Sequence, residues 1–440
     1  MVKNAIIGTV GDSINPLIEH INSVKPDLVY FIHSYKTKKS AFHIQRLTNV
    51  EEYRYKLLND HEDVNEAFSK SLECIDELFK ENYIVVGNFT AATKTMSVGL
   101  AMACVEKHCG YVYGTGDRDK ESGNVKIYGR DILQVNPYEK QAINEFKRGK
   151  LLFDECQFLA ARENFKQALI KLNEDSNLNN LKLQADIFIR IIDFYELWDK
   201  FNDELNEFKL NIILNNIIDD IKSNTYLFDY FSFEFPNFLK QMDNNVLFLN
   251  KKLMEDNLFY YLPDLLNNAQ RRIDEGKYDD AVARLYRAIE LVAQLRLFEF
   301  NIVDEKNFIH NKSFRLDKSK LIGKTSKSTQ SQIFNLNKWQ WNSKDYLEYD
   351  MSKDYRILEY ISQERNDDLS KSTLELVNFF KNIRNNIMFR NKSILAHGLK
   401  PLNKNDAIRI YKLTIKHSKK LCSNIEKEME LSKFPLFRNG

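Results

Sequence analysis

Residues 83–97 read Tyr-Ile-Val-Val-Gly-Asn-Phe-Thr-Ala-Ala-Thr-Lys-Thr-Met-Ser. Tyr83–Phe89 is a short apolar run rich in Val, Ile and Tyr, the pattern of a strand buried on both faces. Thr90 or Thr93 is placed to cap a helix over Thr93–Lys107. Similar runs at Ala5–Val10, Leu28–His33, Phe42–Leu47, Tyr111–Thr115 and Val125–Tyr128 are expected to be strands. Between them Val64, Phe68, Leu72, Ile75 and Phe79 recur every three or four residues, a helical stripe. Strand–helix alternation implies an α/β, Rossmann-like open sheet, whose ligands sit outside the carboxyl ends of the strands.

Beyond Pro137 the pattern turns helical to the end, giving an all-α C-terminal region. Residues 141–172 and 265–300 each read as a helical hairpin. In the second, Gly276 marks the turn and Ala281, Leu285, Ala288 and Val292 make the apolar stripe. No 34-residue repeat follows, which argues against a solenoid. Residues 303–350 are polar, basic and weakly periodic, and are expected to be a long loop or an insertion. The expected domains are a sensing domain at 1–138, a helical linker region at 139–260 and a third domain at 261–440.

Composition bounds the function. The chain has 440 residues, 64 basic and 62 acidic, for a net charge of +2. That balance excludes a protein that coats nucleic acid along its whole length. Residues 1–140 hold 17 basic and 19 acidic residues, so the remainder carries the positive excess, part of it in Arg315–Lys327. Only 14 Gly and 7 Pro favour helix over turn-rich β folds. The five scattered cysteines form no C-x-x-C, and no signal-peptide pattern precedes the first strand, so a reduced, cytoplasmic protein is expected. No apolar run approaches the ~20 residues of a membrane span.

Several tempting motifs fail. Gly323-Lys324-Thr325 resembles the end of a phosphate loop, but position 318 is Lys where a glycine is required. Gly114-Thr-Gly116 lacks its third glycine, since position 119 is Asp. No G-x-S-x-G is present, and no His, Cys or carboxylate cluster has metal-ligand spacing, so no metal site is expected. ATPase, dehydrogenase, zinc enzyme and serine hydrolase therefore leave the leading list.

Three signals remain. Gly8-Thr9-Val10-Gly11-Asp12-Ser13 ends the first strand with small residues that admit a ligand to the backbone, although an ordinary strand–helix turn reads the same way. Lys94 falls in the first turn of a helix, where the macrodipole disfavours a cation and a bound phosphate would welcome one. A solvated surface lysine is the alternative. Finally, Arg390-Asn391-Lys-Ser-Ile-Leu-Ala-His397-Gly398 follows an apolar-patterned helix over Leu374–Phe389. Seven residues of helix bring Arg390 and His397 to one face. Guanidinium can hold a phosphate, imidazole can move a proton near neutrality, and Asn391 can orient either. This suits metal-free RNA cleavage, in which a ribose 2′-hydroxyl attacks the neighbouring phosphate. A packing detail is the alternative for this pair.

In this order, the three signals resemble the CARF–HEPN ribonucleases of type III CRISPR systems, the accessory RNases of the Csm/Csx group. Gly8–Ser13 is similar to the family's first-strand loop. Residues 88–97 are similar to its Gly-Gly-Thr-Lys-x-Met-Ser ligand motif, with Ala91-Ala92 where two glycines are usual. Arg390-Asn391 and His397 resemble the HEPN catalytic pattern, and Asp279–Leu291 a helix of such domains. The resemblance covers both ends and leaves about 145–260 poorly covered. It implies a metal-independent endoribonuclease of antiviral defence that cleaves single-stranded RNA after binding a cyclic oligoadenylate across a homodimer axis. Two copies of Arg390 and His397 would form a composite site. The activator is expected on Thr9, Gly11, Asp12, Ser13, His33, Ser34, Asn88, Thr90, Thr93 and Lys94. Cyclic tetra-adenylate is favoured over cyclic hexa-adenylate from the Thr-Lys form of the motif. A non-catalytic nucleotide-sensing module is the main rival reading. A DNA nuclease is the second, though the carboxylate–Lys metal constellation it needs is not evident.

Overall fold

A computed structural model describes residues 3–90, 92–115, 131–135, 138–172, 178–201, 207–224, 235–253, 258–311, 313–336, 345–387 and 401–437. The chain forms two compact units. One comprises Met1–Asn144 and Gln167–Leu178, the other Glu145–Lys166 and Asn179–Gly440. No helix among the described residues is long and apolar enough to cross a membrane.

The first unit is built on β1 (Lys3–Thr9), β2 (Leu28–Ser34), β3 (Glu52–Leu58), β4 (Tyr83–Asn88), β5 (Gly110–Thr115) and β6 (Asp131–Val135). They form one sheet in the order β3-β2-β1-β4-β5-β6. The first five are parallel, and β6 pairs antiparallel to β5. The helices are α1 (Asn15–Val24), α2 (Lys38–Leu47), α3 (Val64–Lys80) and α4 (Lys94–Glu106). Alternation along each strand divides the core in two. Ala5, Ile7, Leu28, Tyr30 and Ile32 pack with Ala67, Ile75, Leu78, Met96 and Leu100 of α3 and α4. Ile6, Val29 and Phe31 point the other way, onto Leu17, Ile21, Ala41 and Ile44 of α1 and α2. The Rossmann-like expectation holds. Because the chain moves from β1 outward to β3 and then returns past β1 to β4, the strand order reverses between β1 and β4. In open α/β sheets, ligands bind at the carboxyl ends beside such a reversal.

One strand assignment needs correction, and two strands were missed. Phe42–Leu47 lies in α2, not in a strand. Its buried residues are Ala41 and Ile44, one helical turn apart, while Phe42 and Leu47 are 41% and 52% exposed. The strand next to β2 is β3, Glu-Tyr-Arg-Tyr-Lys-Leu-Leu, whose charges disguise it. It is an edge strand. Arg54 and Lys56 face α3 and its end, pairing with Glu81 and Glu73, while Tyr53 and Tyr55 lie against Phe31. β6 was likewise not foreseen, and Val125–Tyr128 lies outside the described residues.

The remaining elements are α5 (Tyr138–Asp154), α6 (Phe158–Leu172), α7 (Asn179–Asp199), α8 (Glu207–Ser223), α9 (Phe235–Leu253), α10 (Tyr261–Asp274), α11 (Tyr278–Glu299), α12 (Glu305–Asn311), β7 (Leu316–Asp317), α13 (Lys318–Lys324), α14 (Lys327–Asn335), β8 (Tyr346–Leu347), α15 (Met351–Glu364), α16 (Asp368–Ile387), α17 (Lys404–Leu421) and α18 (Ile425–Leu431). Both expected hairpins form. Gly276 turns at φ 76°, and Cys156 takes the same left-handed position at φ 57° between α5 and α6. Each turn closes with a 2.8 Å bond, Lys277 N–H to Arg272 O and Gln157 N–H to Leu152 O.

Within the second unit α10 and α11 pack with α15, α16 and α17 around Leu285, Val292, Leu358, Ile361, Leu376, Ile383 and Ile410. The segment 303–350 is not a plain loop. It folds into α12, α13, α14 and the two-stranded β7–β8 pair. Asp317 and Ser326 cap its short helices, and Arg315 pairs with Asp304 and stacks 3.9 Å over Tyr346. Elements this short carry too few apolar repeats to be seen as periodicity.

Candidate functional site

Parallel pairing sets the site. Thr9 is in register with Ile32 of β2, and Gly8 with Asn88 of β4. The carboxyl ends of β2, β1 and β4 are therefore neighbours, with Thr9, His33, Ser34 and Asn88 along one edge of the sheet. Four expected site residues thus come together, and the loops after β1 and β4 bring the rest to that edge. Gly11 is buried, Ser13 and Thr90 are half-buried, and Asp12 is exposed.

Each strand end is held by its own side chains. After β2, Ser34 and Thr37 bond reciprocally. Ser34 N–H donates to Thr37 Oγ1 at 3.1 Å, and Thr37 N–H donates to Ser34 Oγ at 3.3 Å. His33 Nδ1 donates to the Ser34 carbonyl at 3.0 Å, with its ring edge-on to Tyr55. The Thr9 hydroxyl is buried without a hydrogen-bond partner among the described residues. An orphaned buried hydroxyl is costly unless water or a ligand meets it.

After β4, Asn88 Oδ1 accepts the Thr90 N–H at 3.0 Å, and Asn88 Nδ2 lies 3.0 Å from His20 Nδ1. Burial lowers the His20 pKa to about 4. Thr93 caps α4, its Oγ1 accepting the Met96 N–H at 3.3 Å. Thr93 and Thr95 hydroxyls both donate to the His61 carbonyl, at 3.2 and 2.6 Å, and Ser97 Oγ donates to Phe89 O at 2.8 Å. Lys94 is the first residue of α4, exposed, with no acidic residue in that first turn. A lysine ammonium and the positive end of the helix dipole thus share one helix start, an arrangement that favours an anion.

The expectation for Gly8 changes, and Gly87 gains a role. A Cβ on Gly8 would stand 2.8 Å from Leu17 Cδ1, and one on Gly87 would stand 2.4 Å from Cys104 Sγ. These glycines admit α1 and α4 to the sheet, so their smallness serves packing. His20, Thr37 and His61 were not foreseen as site residues. Ser34-x-x-Thr37 carries a local signal for its turn. His20 and His61 carry none, because their partners lie 68 and more than 30 residues away.

Arg390, Asn391 and His397 lie outside the described residues. They belong to the connection between α16 and α17, two helices that pack on each other. On the far side of that connection, Leu402 N–H donates to the Asp279 carboxylate at 3.1 Å, which ties the chain to the first turn of α11. His417, on α17, is fully buried. Tyr355 OH donates to Ile289 O at 2.8 Å and lies 2.5 Å from His417 Nε2, so the ring donates that bond. Burial lowers the His417 pKa to about 3. A ring so enclosed serves packing and does not meet substrate.

Residues 250–420 match a family model described as the Csm6 HEPN domain. No curated protein matches the chain by sequence. Among solved structures, the Csm6 of Enterococcus italicus bound to cyclic hexa-2′-fluoro-hexa-dAMP is similar with a TM-score of 0.58 at 11% identity, covering 98% of each chain. The Can2 of Sulfobacillus thermosulfidooxidans in complex with cyclic tetra-adenylate aligns with 42% of this chain and 58% of its own, at 11% identity and a TM-score of 0.23. The first likeness establishes the fold over nearly the whole length.

Proposed function

We propose that this chain, a CARF–HEPN protein of type III CRISPR systems with a Csm6-type HEPN domain, is an endoribonuclease switched on by a cyclic oligoadenylate. The observation that carries the reading is the HEPN match over residues 250–420, which spans Arg390, Asn391 and His397. Arg390 would stabilise the charge developing on the scissile phosphate, and His397 would move the proton between the 2′-hydroxyl and the leaving oxygen. Asn391 would orient them. These groups supply charge and proton transfer themselves, so we read cleavage as metal-independent, with products ending in 2′,3′-cyclic phosphate or the derived 3′-phosphate.

The activator reading rests on the first unit. Thr9, His33, Ser34 and Asn88 line the switch-point edge, and Lys94 with the α4 start supplies positive potential for phosphates. Gly11, Asp12, Ser13, Thr90 and Thr93 complete the proposed pocket. A ring with rotational symmetry suits a two-fold receptor. In keeping with that, α4 exposes Val98 and Met102, one turn apart, at 47% and 49%. Cyclic tetra-adenylate is the first ring to test and cyclic hexa-adenylate the second.

The test is cleavage of a fluorogenic single-stranded RNA by purified protein with each ring, in excess chelator. Cleavage that needs a ring and disappears in both His397→Ala and Arg390→Ala is the expected result. Activity that returns only on adding a divalent cation would overturn the mechanism. Ring binding without any cleavage would favour a sensing module instead.

A further inference from the structure

We propose that His20 on α1 is a positioning residue for the anion site, its Nδ1 lone pair holding the Asn88 amide in the orientation that anchors Thr90. The functional arm of this inference rests on the activator reading above. Its structural arm does not.

Donors and acceptors fix the orientation of the Asn88 amide. The Thr90 N–H can only donate, so the Asn88 atom 3.0 Å from it is the amide oxygen. The amide NH2 then faces His20, 3.0 Å from Nδ1, and Nδ1 must accept. The ring proton therefore sits on Nε2, and the ring is neutral. Burial accounts for that neutrality: His20 is 3% exposed and Asn88 2%, and burial alone lowers the His20 pKa. Water has no ready access to replace the acceptor.

The chain of contacts runs from helix to loop. α1 carries His20, His20 sets Asn88 at the end of β4, and Asn88 sets Thr90, the second residue of the loop that leads to Thr93 and Lys94. Replacing Nδ1 with an apolar group leaves a buried NH2 unpartnered. The amide then has reason to turn over or swing away, and either movement takes Oδ1 from Thr90. The bonds of Thr93, Thr95 and Ser97 to His61 and Phe89 are separate from this chain, so α4 itself keeps its start. The expected effect falls on the loop.

Two variants of the full-length protein separate acceptor from packing. His20→Leu keeps apolar bulk and removes the acceptor. His20→Asn places an amide oxygen near the Nδ1 position and cannot titrate. Three readouts are needed: amide hydrogen exchange at Thr90 without ligand, calorimetric affinity for cyclic tetra-adenylate and cyclic hexa-adenylate, and RNA turnover at saturating ring. His20→Leu should speed Thr90 exchange and weaken ring binding about tenfold, the effect of one buried hydrogen bond. Turnover at saturation should stay unchanged. His20→Asn should match wild type in all three. Should His20→Leu fail to fold, His20→Gln takes its place, because its oxygen reaches beyond the Nδ1 position. Wild-type exchange and affinity in the acceptor-less variant, or equal damage in His20→Asn, would overturn the proposal. Wild-type protein that binds neither ring would sink the activator reading, and Thr90 exchange would still decide the positioning role.

Discussion

Gly99→Ala should push α4 away from α3 and weaken the site that α4 carries. A Cβ on Gly99 would stand 2.6 Å from Ala67 Cβ, 2.8 Å from the Phe68 backbone nitrogen and 2.9 Å from the Ala67 carbonyl carbon. Relaxed contacts between such atoms are about 3.5–4.0 Å, so the helices must part by roughly 1 Å. None of the three atoms is the end of a flexible side chain, and the strain cannot be absorbed by a rotamer change. Overpacking of this kind costs about 1–3 kcal/mol. Alanine's better helix propensity returns up to ~1 kcal/mol. The net expectation is a loss of up to about 2 kcal/mol in chemical denaturation. A shift of that size also stretches the 2.6 Å bond from Thr95 to the His61 carbonyl and moves Lys94, so ring affinity should fall with stability. The control is Gly323→Ala in α13, where a Cβ meets nothing within 4 Å. There the same chemical change should leave stability equal or raise it. A Gly99→Ala protein as stable as Gly323→Ala, with unchanged ring affinity, would refute the close-packing argument.

Acid should destabilise both units well before their carboxylates titrate. His20 and His417 have folded pKa values of about 4 and about 3, below their unfolded value of 6.5. Their contribution is complete above pH 6.5 and is lost as pH falls toward those values, by on the order of 3 kcal/mol for each by pH 4, and denaturation midpoints between pH 7 and 4 check it. Asp354→Asn should raise thermal stability at neutral pH. Burial holds the Asp354 pKa well above the usual carboxylate value, and neither of its oxygens has a hydrogen-bond partner among the described residues. The gain should widen as pH rises above 4 toward the raised pKa, because the unfolded chain gives up this proton while the folded acid keeps it. Lys94→Ala should weaken activation by more than about tenfold, the cost of a charge-assisted phosphate contact, while ligand-independent cleavage stays unchanged in a titration of either ring.

The strands of the sheet interior were legible because burial on both faces demands an unbroken apolar run, as in Leu28–Ser34. The same rule hid β3, since an edge strand can carry Arg54 and Lys56 once α3 offers Glu73 and Glu81 to meet them. It also made Phe42–Leu47 look like a strand, where only the spacing of Ala41 and Ile44 reveals a helix. The helical character after Pro137, both hairpins and the Gly276 turn could be read locally, because a left-handed glycine and a three-to-four spacing act within a few residues; the turn at Cys156 carries no glycine to announce it.

The site divides in the same way. Thr9, His33, Asn88, Thr93 and Lys94 could be named from sequence because strand ends and helix starts are local features, and parallel pairing then obliges them to share an edge. His20 could not, and neither could the work of Gly8, Gly87 and Gly99. Their partners are Asn88, Leu17, Cys104 and Ala67, chosen by which helix lands on which strand. Local sequence sets hydrogen-bonding potential and backbone preference. Which donor meets which acceptor across 68 residues is settled only when the sheet order brings α1 beside the end of β4.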